Sequence, residues 1–188
     1  MSVVFTPQRR KLSAEQFERM GETGILGRDA RVELIDGELI EMAPIGSRHA
    51  AAVSLLSAYF VRVVGDAALV WSQNPLRLAD DSEPQPDLML LRPSTDRYRS
   101  AHPRPADVLL LIEVGDTTLA FDRETKLPLY ARHGVPEVWI LDLDAQRLEI
   151  YRERGAAGYR RKLERTAAES IAPLGLPTVE LQVGAVFA

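Results

Sequence analysis

Two acidic residues stand where acidic side chains are rare, within or beside strongly apolar strands of the predicted fold. Asp87 follows Pro86 and opens the run DLMLL, and Glu113 lies near the end of the run VLLLIEV. Charged residues are rarely buried unless they are paired or bind a metal. Carboxylates from two adjacent strands would form a pocket suited to Mg²⁺ or Mn²⁺, hard cations that prefer oxygen ligands. Taken alone, each acid has a simpler explanation, a turn cap at Asp87 and a structural ion pair at Glu113.

A lysine on the next predicted helix adds to this pair of acids. Asp122 and Lys126 are spaced i and i+4, so they could form an exposed salt bridge on one helix face, and Asp122 could also be the helix N-cap. In the alternative that we favour, the helix packs across the sheet and brings Lys126 to Glu113. An ammonium group beside two metal-binding carboxylates would orient a water nucleophile and offset charge on a phosphorane-like transition state.

Local sequence patterns in the first part of the chain predict a hairpin and two helices. Ser13 and Gln16 form a capping-box pattern at the start of a short helix. The dipeptide Asp36-Gly37 between apolar segments is the strongest short-range hairpin signal. Residues 47–64 have apolar side chains at helical spacing, including Val63. We expect this long helix to be capped by Ser47 and to pack on the hairpin.

The rest of the chain must supply the sheet. Apolar runs predict strands at 69–71, 76–78, 87–91, 108–114, 138–143 and 147–151, and a helix at 122–133 that ends at Gly134. The strand at 108–114 is apolar throughout, which indicates burial on both faces. The strand–helix–strand step from 108 to 143 requires a crossover. We therefore predict one α/β domain over residues 1–188, with a mixed β-sheet flanked by α-helices, and leave residues 169–188 without an assignment.

Composition limits the kinds of protein that the chain could be. Its 188 residues suit one domain, and 46% hydrophobic and 27% charged residues are ordinary for a globular protein. The absence of cysteine excludes disulfides and thiolate zinc sites. A net charge of −4 gives no global attraction to nucleic acid, so such a partner would need a local basic patch. We expect no membrane segment and no signal peptide, and hence a cytoplasmic location.

The order Pro86-Asp87, Glu113 and then a lysine resembles the PD-(D/E)XK nuclease superfamily. The local phrases are similar to those of its Uma-two branch of restriction-endonuclease-like proteins. They are ELIDGELIEM at 33–42, PQPDLMLL at 84–91 and IEVGDTTLAFDRETKLPLYARHGVPEVWILDL at 112–143. The resemblance implies a nuclease with the restriction-endonuclease-like core, a mixed sheet flanked by helices.

One departure from the superfamily pattern concerns the lysine, which there stands two residues after the second acid on the same strand. That position is Gly115 here, and the lysine of this branch maps onto Lys126. The resemblance also implies that Glu33 is a further metal-site carboxylate, although an exposed edge-strand position would explain it equally well. From residue type and position, His49 on the long helix could approach a phosphate, but a solvent-exposed or otherwise satisfied side chain is the simpler explanation, and we leave it out of the site. Gln73 could face the same sheet surface as the acids, but a strand bulge explains it better, and Trp139 is assigned to the core.

We therefore expect an Mg²⁺-dependent endonuclease, with Mn²⁺ as a possible substitute, that hydrolyses DNA phosphodiester bonds. Asp87 and Glu113 would hold the metal with help from Glu33, and Lys126 would orient the water. In the loop 92–104, Arg97 and Arg99 would contact phosphates, unless the interleaved acids make this segment ordinary solvated surface. A homodimer could merge two such loops across a cleft. The alternatives are a non-catalytic DNA-binding or regulatory module on a decayed nuclease fold, and a hydrolase of another substrate.

Overall fold

The computed structural model describes residues 9–27, 29–155 and 157–187. The strands are β1 (Val32–Ile35), β2 (Glu38–Glu41), β3 (Leu69–Ser72), β4 (Leu88–Leu91), β5 (Val108–Gly115), β6 (Val138–Asp142), β7 (Arg147–Gly155), β8 (Gly158–Thr166), β9 (Ser170–Ile171) and β10 (Leu181–Gln182). The α-helices are α1 (Ala14–Glu22), α2 (Ser47–Val64), α3 (Leu119–Phe121) and α4 (Leu127–His133). Short 3-10 helices cover Gly65–Ala67, Pro105–Asp107 and Val183–Val186.

A six-stranded mixed sheet in the order β3-β4-β5-β6-β7-β8 forms the centre of the fold. Strands β5 and β6 pair in parallel, and the other neighbours in this sheet pair antiparallel. One group of core side chains joins the sheet to α2, and a second group on the other face joins it to α4. The predicted mixed sheet flanked by helices is confirmed, as is the core position of Trp139, which is fully buried.

The crossover from β5 to β6 is a helix with a π-helical turn in its middle. The turn Asp122–Lys126 lies between α3 and α4, and the Leu127 N–H donates to the Asp122 carbonyl. The helix ends at Gly134, whose φ of 94° lies in the left-handed region that glycine adopts without strain. The predicted helix at 122–133 is thus present, but it begins at Leu119, three residues before the predicted start. Single π turns inside α-helices occur frequently at functional sites.

The hairpin and the first helix follow the predicted local signals. The Ser13 hydroxyl accepts a bond from the Gln16 N–H, and the Gln16 side chain accepts one from the Ser13 N–H, so the predicted capping box is present. Strands β1 and β2 pair across Asp36 and Gly37, whose φ values of 50° and 79° are both positive. Two residues with positive φ form the type of turn that matches the twist of a two-residue hairpin.

Helix α2 differs from its prediction in three respects. Its N-cap is Gly46, with no side-chain cap bond, so Ser47 is not the cap. It packs on the six-stranded sheet and not on the hairpin, because its buried face meets the apolar side chains of β4 and β5. Val63 is 37% exposed, since the buried positions at Leu56 and Phe60 continue at Val64. By length and composition alone, the segment Ser47–Ala67, of mean hydropathy 1.4, is long and apolar enough to cross a membrane, whereas the sequence predicted no such segment.

Residues 76–78 do not form the predicted strand. The Leu76 N–H bonds to the Pro84 carbonyl at 2.9 Å and the Leu78 N–H to the Ser82 carbonyl at 3.0 Å, so this segment pairs with residues 82–84 outside the sheet. Gln73, with a φ of 50°, and Pro75, which lacks an N–H, interrupt the ladder after β3. The chain beyond 151 contributes β8 at the edge of the sheet and a short β9–β10 pair, neither of which we predicted.

Candidate active site

Four buried carboxyl side chains meet at one end of β4 and β5. Leu88 pairs with Ile112, so the next step outward brings Asp87 opposite Glu113. The Asp87 N–H donates to Glu113 Oε2 at 3.3 Å, and the Val114 N–H donates to Asp87 Oδ2 at 2.8 Å. Glu33 from β1 and Asp122 from the π turn complete the group, and all four residues are at most 8% exposed. They line one pocket, together with residues 42–46, 116–118, Arg31, His49, Gln85 and Lys126.

The Lys126 ammonium lies inside this group. Its Nζ is 3.0 Å from Glu33 Oε1 and 3.3 Å from Glu113 Oε1, and the residue is 2% exposed. Burial by itself lowers the pKa of Lys126, but the neighbouring carboxylates outweigh it and raise the pKa above its ordinary value. Lys126 is therefore a fixed positive charge. An exposed salt bridge with Asp122 is excluded because both residues are buried, and Asp122 is not the N-cap because the helix begins before it.

Glu33 is buried beside Lys126, so the alternative of an exposed edge-strand glutamate is wrong. Strand β1 pairs with β2 along one edge, and the segment around Glu83 covers its other edge. There the Glu83 N–H donates to the Leu34 carbonyl at 2.7 Å, so β1 has no exposed edge at this point. Glu33 Oε2 is buried and has no hydrogen-bond partner among the described residues. A buried carboxylate oxygen without a partner is costly, and it indicates a missing ligand such as a cation or water.

Tyr130 is a site residue that we did not predict from the sequence, although its spacing from Lys126 could have indicated it. It stands four residues after Lys126, which itself follows Asp122 by four, and all three side chains are buried on one helix face. The Tyr130 hydroxyl donates to Glu113 Oε1 at 2.5 Å. Burial and the Glu113 charge raise the pKa of Tyr130 well above its ordinary value, so the phenol stays protonated and remains a donor.

His49 and Gln73, which the sequence did not place in the site, both contact Asp87. His49 Nε2 lies 2.9 Å from Asp87 Oδ1, and Gln73 Nε2 lies 3.5 Å from the same oxygen. Gln73 also has the irregular backbone expected of a bulge, with a positive φ. The hydrogen bond to Asp87 raises the pKa of His49. Neither contact could be inferred from spacing, because each joins segments that are distant in the chain.

The charge of the pocket is unbalanced. Burial raises the pKa of Glu113 well above its ordinary value and the pKa of Asp122 to about 6, in each case against the lowering effect of Lys126. The geometry places four carboxyl groups and one buried ammonium in this pocket, with His49 also lining it. Such a group retains a proton or binds a cation at neutral pH.

The donor set fits a hard divalent cation. Each carboxylate oxygen offers about two acceptor positions, and Asp87 Oδ2 and Glu113 Oε2 each accept one hydrogen bond from the described residues. With the Glu33 oxygen that has no partner among the described residues, three residues that line the pocket keep free acceptor positions. Among the described residues, the group whose ligand atoms all lie within 4.8 Å of one another is a different one, Glu18, Glu83 and His102, and there the Arg77 guanidinium already pairs with both carboxylates.

Arg97 and Arg99 lie away from this pocket. Their loop leaves β4 at the end opposite Asp87 and returns to the start of β5, and the Arg92 N–H bonds there to the Asp107 carbonyl. Both arginines are exposed, and Arg99 lines a separate pocket with Arg77 and Arg104. The arginine that lines the acidic pocket is Arg31, which donates to the Ala43 carbonyl and which the sequence did not single out.

Comparisons with known proteins agree with this fold. The family model described as "Uma2: Putative restriction endonuclease" matches residues 14–184. A crystal structure described as "a putative nuclease belonging to DUF820 from Anabaena variabilis ATCC 29413" superposes with a TM-score of 0.70 at 17% identity, over 94% of this chain and 97% of that one. At this identity the likeness shows the fold alone. No curated protein matches the sequence.

Proposed function

This chain belongs to the Uma2 family of restriction-endonuclease-like proteins, and we propose that it is a metal-dependent endonuclease that hydrolyses phosphodiester bonds in DNA. The observation that supports this function best is the burial of Lys126 between Glu33 and Glu113, beside Asp87. An enclosed lysine with several carboxylates suits phosphoryl chemistry, in which catalysis is mainly positioning and electrostatic stabilisation.

In the proposed site Asp87 and Glu113 hold Mg²⁺ or Mn²⁺, and Glu33 adds the oxygen that has no partner among the described residues. When bound, the cation would polarise a phosphoryl oxygen and lower the pKa of a bound water. The Val114 N–H and the Tyr130 hydroxyl fix the two carboxylates from behind. Because each carboxylate has a donor of its own, its orientation does not depend on the cation.

Lys126 acts in this proposal through its charge and not as a base. Its raised pKa leaves it protonated at the pH at which a nuclease works, so it cannot accept a proton from water. Its ammonium instead orients the attacking water and stabilises the negative charge that develops on the phosphoryl oxygens. The same charge offsets the repulsion among Glu33, Glu113 and Asp122 before substrate binds.

DNA would be held outside the pocket by exposed arginines. Arg31, which is exposed and lines the pocket, would contact a phosphate near the scissile one, and Arg97 and Arg99 would contact phosphates farther along the strand. With a net charge of −4, one copy offers only local attraction to DNA. We therefore propose a homodimer, which would double the number of basic loops. A DNA substrate also accords with the expected cytoplasmic location.

The test is single-turnover cleavage of supercoiled, linear, branched and single-stranded DNA with Mg²⁺ or Mn²⁺. Wild type should cleave at least one of these substrates, and Glu113→Gln should lose the activity. Glu124→Gln, an exposed acid of the same helix, is the matched control and should cleave normally. Binding of DNA without cleavage would identify the non-catalytic module, and neither binding nor cleavage would favour a hydrolase of another substrate.

A further inference from the structure

The Asp87 carboxylate is held at both of its oxygens. The Val114 N–H donates to Oδ2 at 2.8 Å, and His49 Nε2 lies 2.9 Å from Oδ1. Gln73 Nε2 is also directed at Oδ1, at the longer distance of 3.5 Å. A carboxylate that is gripped at both oxygens cannot rotate freely about its terminal bond, so its remaining acceptor positions have a fixed direction.

His49 is supplied by a rigid part of the fold. It lies in the first turn of α2, and the following turns of this helix bury Ala52, Val53 and Leu56 in the core. Its side chain is 13% exposed and lines the acidic pocket. The imidazole therefore reaches Asp87 from an element whose position is set by packing on the sheet, in contrast to a contact made by a surface loop.

We propose, as an extension of the proposed function, that His49 is a positioning residue that orients Asp87 for the divalent cation and thereby sets the affinity of the site for metal. An ionised carboxylate only accepts hydrogen bonds, so Nε2 of His49 must carry the proton in this contact. That nitrogen is then committed to Asp87 and cannot bind the cation itself. Oδ1 then accepts from His49 and Gln73, so the acceptor position of Asp87 that stays free for the cation is the second one of Oδ2, in a direction that these contacts fix.

Removal of the imidazole should weaken metal binding. Loss of a group that orients a metal ligand typically costs about 10–100-fold in metal affinity, and we expect His49→Ala to weaken Mn²⁺ binding by that factor. His49→Gln should restore most of the affinity, because its amide nitrogen can occupy nearly the position of Nε2. His49→Asn should not restore the affinity, because the Asn amide nitrogen occupies the position of Nδ1, the ring nitrogen closer to the backbone, and does not reach Asp87. A residue that only filled space would show no such difference between the two amides.

The experiment is calorimetric titration of the full chain with Mn²⁺ alone, followed by single-turnover cleavage across a range of Mn²⁺ concentrations. The His49→Ala loss should appear in the titration, and most of the loss in cleavage should recover when Mn²⁺ is saturating. His133→Ala removes a histidine that does not line the pocket and is the matched control. If His49→Ala does not fold, the comparison of His49→Gln with His49→Asn decides the question by itself.

The possible failures are distinguishable. Wild-type affinity for Mn²⁺ in both His49→Ala and His49→Asn would overturn the positioning role and leave the proposed function standing. A loss of cleavage that saturating Mn²⁺ does not recover, with unchanged binding, would also overturn it and would make His49 a group that acts on substrate. A wild-type chain that binds no Mn²⁺ would overturn this proposal and the proposed metal dependence together.

Discussion

Lys126 Nζ lies 3.3 Å from Glu113 Oε1, although one residue is on a helix and the other on a strand. In the superfamily pattern that the sequence resembles, the lysine stands on the strand itself, at the position of Gly115. A Cβ on Gly115 would lie 2.4 Å from Leu119 Cδ1, so a side chain there would require Leu119 to move. In this chain the helical segment that follows β5 brings Lys126 to Glu113 instead.

The first prediction concerns the stability that Lys126 gives to the metal-free protein. Lys126→Ala should destabilise it by about 3–5 kcal/mol, because loss of one partner leaves the buried carboxylates of Glu33 and Glu113 uncompensated. Chemical denaturation in the presence of EDTA measures the change. A variant as stable as wild type would show that these carboxyl groups are already protonated without the lysine.

The second prediction concerns the contribution of Lys126 to catalysis. Lys126→Ala should lower single-turnover cleavage by about 10²–10³-fold at saturating metal, the loss typical of one electrostatic donor. Lys126→Arg should recover only part of the rate, because the planar guanidinium is too large for a position that is 2% exposed. Equal rates in wild type and Lys126→Ala would restrict Lys126 to a structural role.

The third prediction separates two groups of arginines by salt dependence. If Arg97 and Arg99 each contact one phosphate, their replacement by alanine should flatten the plot of log affinity against log salt by about 1.8, at about 0.9 per contact. The cleavage rate of bound DNA should not change, because both residues lie away from the pocket. Arg31→Ala, at the rim of the pocket, should lower that rate. An unchanged salt slope in the double variant would remove Arg97 and Arg99 from the DNA-binding surface.

The sequence predicted those parts of the fold whose signals are local. The runs DLMLL and VLLLIEV became β4 and β5 because fully buried strands are almost entirely apolar, and Asp36-Gly37 formed its turn because both residues tolerate positive φ. Strand β8 was not predicted because it is an edge strand rich in arginine and lysine. Such charged side chains prevent an edge strand from pairing with another chain, but they obscure the alternation of apolar and polar residues by which a strand is identified.

For the site, the sequence indicated which acids are unusual but not what surrounds them. Asp87 and Glu113 stood out because carboxylates are rare in apolar strands, and the family resemblance added Lys126 and Glu33. The contact of His49 with Asp87 depends on how α2 packs on the sheet, which no local spacing encodes. The position of the loop that carries Arg97 also depends on tertiary structure. The sequence therefore showed that arginines cluster in this loop, but not how far the loop lies from the acids.

The fourth prediction concerns the response of stability to metal. Mg²⁺ or Mn²⁺ at 100 times its dissociation constant should stabilise wild type by about 2.7 kcal/mol, which for a chain of this size raises Tm by roughly 5–10 °C. The double variant Asp87→Asn, Glu113→Gln should lose this response, because Mg²⁺ is usually bound through one or two carboxylates and the amides lack their negative charge. Glu18→Gln, in the other acidic group, should keep it. An equal rise of Tm in the double variant would place the metal elsewhere.

The last prediction concerns pH and Asp122, whose pKa burial raises to about 6 from an ordinary value of 3.8. A carboxyl group with a raised pKa holds its proton more tightly in the folded state than in the unfolded state, so the free energy of unfolding should fall as pH rises from about 4 to about 6 and then level off. In Asp122→Asn this part of the fall should disappear, and the metal-free variant should be more stable than wild type at pH 7 by at most about 3 kcal/mol. The measurement is urea denaturation with EDTA at several pH values, with Asp66→Asn, an exposed acid, as control. A fall of the same size in Asp122→Asn and wild type would assign the titration to another member of the group, with Glu113 as the first to test.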